Sequence, residues 1–242
     1  MKPIYHLGSP NFGDALPPVL AKHFGYPSNQ AHVSSPKIVT VGSLLHMVQS
    51  GDTVWGTGSM LPNFKIDKGM NLDVRAVRGP GTRKLLLKGG YTCPEIYGDP
   101  AIFLPAMYKA EPERQYTVGF VTHYTDKPLV NKLPLGSTRI WINVMSPLED
   151  IIRQITQCAH IISSSLHGII AAEAYGIPAS WMMLSDRVAG NGFKFRDYAL
   201  GSGRESAPML DWRKKVDLEK VDPWPLAVFN RQGLLDCCPY VE

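Results

Sequence analysis

A chain of 242 residues, 44% hydrophobic and with a formal net charge of +4, is long enough to bury the core of one large domain or two small ones. The charge is too small and too dispersed to point to nucleic acid: the densest basic group, Arg213-Lys214-Lys215, is broken at once by Asp217 and Glu219. No apolar run reaches transmembrane length, the first residues do not form a signal peptide, and Cys93, Cys158, Cys237 and Cys238 show neither a CxxC pair nor a framework spacing, so the setting expected is reducing and cytoplasmic.

Apolar runs rich in β-branched residues predict strands at 3–7, 37–41, 53–55, 73–77, 117–122, 138–143, 160–163 and 179–183. Several are continuously apolar rather than alternating, which predicts parallel sheets covered on both faces by helices. Residues 147–158 predict a helix: Ser146 caps it, Pro147 takes its first position, Glu149 completes a capping box, and Leu148, Ile151, Ile152 and Ile155 share one face. A second helix is predicted over 166–175, stopped by Gly176 and Pro178. Residues 104–115, with Pro105 and Pro112 and no apolar period, predict a linker. On either side lie strand–helix units. The fold class expected is therefore α/β, with two Rossmann-like half-domains, 1–107 and 116–242, facing across a cleft and closing on a ligand about that linker. No internal repeat is visible.

The chemistry-bearing segments follow strands. Asn11-Phe12-Gly13-Asp14 follows the first, with Asp14 either a helix cap or a cleft carboxylate. Gly56-Thr57-Gly58-Ser59 follows the third, as a tight turn or an anion-binding loop. Val77-Arg78-Gly79-Pro80 follows the fourth and opens a helix, placing a guanidinium fork where phosphate or carboxylate binds. Ile162-Ser163-Ser164-Ser165-Leu166-His167-Gly168 ends a buried strand in hydroxyls and puts His167 in the first turn of an apolar helix, a point suited to an anion and a proton donor. Phe193-Lys194-Phe195-Arg196-Asp197-Tyr198 adds two cations, to close on an anion or to pack two phenylalanines.

In this order the segments resemble the polysaccharide pyruvyltransferase family. The likeness extends through Tyr97-Gly98-Asp99-Pro100-Ala101, Val121-Thr122-His123-Tyr124 and Glu173-Ala174-Tyr175-Gly176-Ile177-Pro178, and covers about residues 11–198. It implies a fold like the GT-B glycosyltransferases and transfer of a pyruvyl group from phosphoenolpyruvate onto sugar hydroxyls of a glycan, as a cyclic ketal, in polysaccharide biosynthesis. It implies donor binding by Arg78 and the Leu166-His167 pair, with Asp14 and His123 lining the cleft; Ser164, Ser165, Gly168 and Lys194 are expected to join the donor site, and the chemistry assigns His167 as acid with Asp14 or His123 as base. It calls for no metal and no cofactor beyond phosphoenolpyruvate as donor substrate. The partners expected are that donor and a glycan acceptor, free or lipid-linked, with no nucleic acid and no transmembrane segment, in the cytoplasm or peripheral to the inner face of the membrane. Two departures stand out: many members carry Arg where this chain has Ser165, and Asp where it has Gly79. A nucleotide-sugar glycosyltransferase and a non-catalytic glycan-binding protein are the alternative readings.

Overall fold

The computed structural model describes residues 2–30, 36–110 and 113–239. In chain order its elements are β1 (Ile4–His6), α1 (Phe12–His23), β2 (Ser28–Gln30), β3 (Ile38–Val39), β4 (Thr53–Trp55), β5 (Asp73–Ala76), α2 (Pro80–Lys88) and a short α3 (Leu104–Met107). There follow β6 (Tyr116–Thr122), β7 (Arg139–Asn143), α4 (Leu148–Thr156), β8 (Cys158–Ser163), α5 (Leu166–Ala174), β9 (Ala179–Met183), α6 (Phe193–Gly201), β10 (Met209–Asp211) and α7 (Arg231–Asp236).

The strands form two five-stranded sheets, ordered β2-β1-β3-β4-β5 and β10-β9-β8-β6-β7. Every strand pair is parallel. Numbered from its own first strand, each sheet has the same order, 2-1-3-4-5. The repetition is one of topology, not of residues, so no periodicity in the sequence betrays it. In each sheet the order reverses between the first and third strands, at β1/β3 and at β6/β8. Ligands of open parallel sheets bind beyond the carboxyl ends of the strands at such a reversal.

The central strands explain the continuously apolar runs: Ile4, Val39, Val54, Phe120, Val121, Ile161 and Ile162 are buried under helices on either side. The two strands that the sequence pattern misses, β2 and β10, each lie at one edge of a sheet, while β5 and β7 at the opposite edges are predicted. Ser28–Gln30 has no apolar residue to mark it, and Met209–Asp211 is three residues long and only half-buried. Helix α5 ends as expected: Gly176 is left-handed at φ +69°, Ile177 N–H donates to Ala172 O and Gly176 N–H to Glu173 O, a Schellman closure. Helix α4 differs at its start. It begins at Leu148, with Pro147 at the cap position and no side-chain cap hydrogen bond, so the expected Ser146–Glu149 capping box does not form. The predicted linker also differs: residues 104–107 are helical and Tyr108 O accepts from Tyr175 Oη, while Glu111 and Pro112 lie outside the described residues.

The halves interlock. Phe12 N–H donates to Val144 O at 2.8 Å, and one core cluster includes Phe12, Leu16 and Trp55 from the first half with Val121, Leu166 and Ile169 from the second. The last helix, α7, returns to the first sheet, where Trp55 Nε1 donates to Leu234 O at 3.0 Å. Closure about residues 104–115 would have to shear this shared core, so the two halves are better described as already apposed. Among the described residues no helix is long and apolar enough to cross a membrane.

Candidate active site

The two strand-order reversals face each other, and the cleft between them measures about 210 Å³. Each of the four loops at these reversals contributes to its wall. Leu7 and Asn11–Asp14 follow β1, Gly42–Leu44 follow β3, His123 and Tyr124 follow β6, and Ser165–His167 follow β8. Lys194, from the first turn of α6, completes the polar lining. Asp14, His123, Ser165, Leu166, His167 and Lys194, widely spaced in sequence, thus converge on one volume.

Asp14 is held by its own helix. Asn11 is the N-cap of α1, with Oδ1 accepting from Asp14 N–H at 3.2 Å and Nδ2 donating to Asp14 Oδ2 at 2.6 Å. The cap role that Asp14 could have filled therefore belongs to Asn11, and the Asp14 carboxylate is left at the cleft wall. Burial raises its pKa, against the opposing effects of Asn11, His167, Ser9 and His6.

His167 projects from the first turn of α5 across to the first half. Its ring lies so close to Gly13 that a Cβ there would stand 2.3 Å from Nδ1, and it also flanks Gly42. Nε2 is buried without a hydrogen-bond partner and lies 3.7 Å from Asp99 Oδ2. The first-turn amides of α5 point toward the same place, because the first four N–H groups of a helix have no intrahelical acceptor.

His123 has a different character. Its Nδ1 is engaged within its own turn, 2.8 Å from Thr125 Oγ1 and 3.3 Å from Thr125 N. Burial first, then the charges of Lys194 and His167, push its pKa down to about 3. Its backbone N–H is fixed by Ser164 Oγ at 2.9 Å. Lys194 is also perturbed: burial and the nearby Arg78 lower its pKa to about 8, with Asp126 opposing. It is the cationic side chain of the cleft lining, and it shares that lining with Ser165, the position where many family members carry arginine.

Three of the residues expected at the donor lie away from the cleft wall. Arg78 is fully buried and outside the cleft wall. Its Nε and Nη2 donate to Asp197 Oδ2, its Nη2 to Ser59 O, and its Nη1 to Ser43 Oγ and Gly42 O, which uses the whole guanidinium fork inside the protein. Ser164 Oγ donates to the buried Asp126 at 2.7 Å rather than facing the cleft. Gly168 is a packing glycine, where a Cβ would stand 2.5 Å from Ser163 Oγ.

The same geometry explains Gly58 and Gly79. A Cβ on Gly58 would stand 2.3 Å from Arg78 Cζ, and one on Gly79 would stand 1.9 Å from Asp197 O, so these glycines admit the Arg78–Asp197 pair. Asp197 then supplies what Gly79 lacks as the cap of α2: its Oδ1 accepts from Thr82 N–H at 3.0 Å. Helix α6, which carries both Lys194 and Asp197, is anchored to α5 by Tyr198 Oη, which donates to Glu173 Oε2 at 2.6 Å. Arg196, the other cation of that segment, is exposed and lies over the Trp181 ring instead of in the cleft.

Sequence reasoning did not assign Asp99, Asp126, Ser43 or Asp197 to the site. Asp99 and Asp197 sit in segments that the family resemblance includes, but only the fold brings them to His167 and Arg78.

Residues 70–185 match the family described as Polysaccharide pyruvyl transferase. The chain is 30% identical over 212 residues to the succinoglycan biosynthesis protein ExoV of Rhizobium meliloti (strain 1021), covering 82% of this chain and 64% of that one. It is also 30% identical over 172 residues to an uncharacterized protein of Acanthamoeba polyphaga mimivirus, covering 68% of this chain and 59% of that one. The chain thus spans about 60% of the length of these curated relatives. No solved structure matches it.

Proposed function

The chain carries a polysaccharide pyruvyl transferase family domain, and on that premise we propose that it transfers a pyruvyl group from phosphoenolpyruvate to hydroxyls of a glycan as a cyclic ketal. The observation that carries this reading is the convergence, in one cleft, of Lys194 and the N-terminal end of α5 with His167 and Asp14. That set provides an anion clamp, an acid and a base, which this chemistry needs. The two apposed sheets fit a GT-B-like arrangement, with donor and acceptor meeting at the facing reversals.

In this scheme Lys194, Ser165 and the first-turn amides of Leu166 and His167 hold the donor's phosphate and carboxylate. His167 protonates the methylene carbon, which leaves an oxocarbenium-like centre at the adjacent carbon. A sugar hydroxyl adds there and gives its proton to Asp14. The bond from that carbon to the phosphate oxygen breaks and inorganic phosphate leaves. A second hydroxyl then adds and closes the ketal, its proton going to the now neutral His167, while Asp14 returns its own proton to the departing phosphate. No electrons or atoms come from a cofactor.

Asp14 suits the base role better than His123. Burial raises the carboxylate's basicity, whereas burial holds His123 down to about 3. His123 is instead a hydrogen-bond donor toward the anion. Arg78 acts one layer back, by fixing Ser43 and the Gly42 carbonyl on the cleft wall.

Incubation with phosphoenolpyruvate and a panel of hexosides, followed by mass spectrometry and a phosphate assay, tests the assignment. Equal amounts of released phosphate and pyruvyl ketal support it. Consumption of a nucleotide sugar with no effect of phosphoenolpyruvate would identify a glycosyltransferase, and glycan binding without turnover would identify a binding protein.

A further inference from the structure

His167 Nε2 is a buried nitrogen with no hydrogen-bond partner, and the nearest group with which it can pair is Asp99 Oδ2 at 3.7 Å. Asp99 is fully buried and already ordered by two backbone amides: its Oδ2 accepts from Gly42 N–H at 3.1 Å and its Oδ1 from Ala101 N–H at 3.0 Å. Gly42 belongs to the loop after β3 and lines the cleft, so one carboxylate holds both the loop and the back of the imidazole. The ring makes no other hydrogen bond. Nε2 is the ring's buried and unpartnered nitrogen, and Nδ1 lies on the other side, against Gly13 at the cleft wall.

We propose that Asp99 is the positioning carboxylate of His167, accepting Nε2–H through Oδ2 so that Nδ1 is the nitrogen presented to the donor. At 3.7 Å the contact lies just beyond hydrogen-bond length. A movement of roughly 0.5 Å brings it into hydrogen-bond range. A bare lone pair on Nε2 aimed at an acceptor oxygen would be repulsive, whereas an N–H there relieves the buried mismatch. The inference rests on the pyruvyl-transfer reading for its purpose. When His167 is doubly protonated, Asp99 stabilises the imidazolium; when Nδ1–H passes to the methylene carbon, the neutral ring is left with Nε2–H against Asp99. Other titratable groups face the same ring: Asp14 from α1, His123 from the end of β6 and Lys194 from α6. Among all of these, Asp99 is the one in contact with the buried nitrogen, so it controls which nitrogen is protonated, while the others act on the ring's charge.

Long-range proton–nitrogen NMR of the full chain labelled at histidine tests this without substrate, with the His167 signals identified by their loss in His167→Asn. The expected result is a neutral His167 protonated on Nε2. Asp99→Asn, which removes the carboxylate charge facing Nε2, should lower the share of the Nε2–H form. It should also lower kcat at least tenfold with a smaller change in donor KM, which a merely structural residue would not do. A wild-type His167 protonated on Nδ1 would overturn the proposal, even if the Asn variant does not fold. If the tautomer is as expected but no pyruvyl transfer occurs, the pair stands and the reaction assigned to the cleft falls.

Discussion

Arg78 of the first half and Asp197 of the second are joined by two N–H donors on one carboxylate oxygen, Nη2 at 3.0 Å and Nε at 3.2 Å, with both side chains fully buried. A sequence motif that resembles an anion grip is thus the bolt between the two halves. Its charge still reaches the site, since it depresses the pKa of Lys194.

Removal of one partner from a buried pair leaves an uncompensated charge, which costs about 3–5 kcal/mol. Arg78→Ala should therefore lower the unfolding free energy by that order in denaturant titrations. Arg78→Lys should recover little, because one ammonium cannot serve Asp197, Ser59 O, Ser43 and Gly42 O together. A variant with unchanged stability and a selectively raised donor KM would restore Arg78 to the donor site.

Lys194 should govern the alkaline limb of donor capture. With its pKa lowered to about 8, the free enzyme loses this charge as pH rises through that value, and kcat/KM for phosphoenolpyruvate should fall with it. Lys194→Arg should abolish the limb, since guanidinium stays charged. Lys194→Met should raise donor KM by about ten- to hundredfold, the worth of a charge-assisted hydrogen bond of about 1.5–3 kcal/mol.

His123 predicts an acid-sensitive fold. Its folded pKa, about 3, lies below the ordinary 6.5. Between those values the unfolded chain binds the proton more readily than the folded one, so stability rises with pH across the window and is lost on acidification below about 6.5. Unfolding titrations at about pH 7 and about pH 5 should show a drop that is smaller in His123→Asn. An equal drop in both proteins would assign the acid sensitivity to another group.

Gly13→Ala separates site geometry from stability. Alanine favours the helix by about 1 kcal/mol. Its Cβ, however, would stand 2.3 Å from His167 Nδ1, so the ring must move. A displacement of about 1 Å in a reacting group can cost about a hundredfold in rate. The variant should melt near the wild-type temperature yet lose most turnover. Normal kcat would remove His167 from the reaction.

His167→Asn and Asp14→Asn should each abolish most turnover while retaining donor binding, measured by calorimetry with phosphoenolpyruvate. Asn at 167 donates a hydrogen bond but no proton, and Asn at 14 cannot accept one. His123→Asn should be milder, because it keeps an N–H toward the cleft. If instead His123→Asn abolishes turnover and His167→Asn does not, the two roles are exchanged.

The parallel strands, the Schellman stop after α5 and the placement of His167 in a first turn were legible in the chain itself. Each is a local matter: β-branched apolar runs, a glycine able to take φ +69° before a proline, a hydroxyl-rich strand end. Strands β2 and β10 were not legible, because Ser28–Gln30 is wholly polar and Met209–Asp211 is short and half-buried, so each takes its place from its neighbouring strand. The convergence of Asp14, His123, His167 and Lys194 was expected from the resemblance, but their partners were not. Whether an arginine grips a ligand or a carboxylate depends on what lies within about 3 Å of it. For Arg78 that is Asp197, which lies far along the chain and is brought there by α6. Asp99 met His167 for the same reason. Residue types and their order determined the class of chemistry, and long-range packing decided which of the charged groups face the cleft and which are consumed in holding it open.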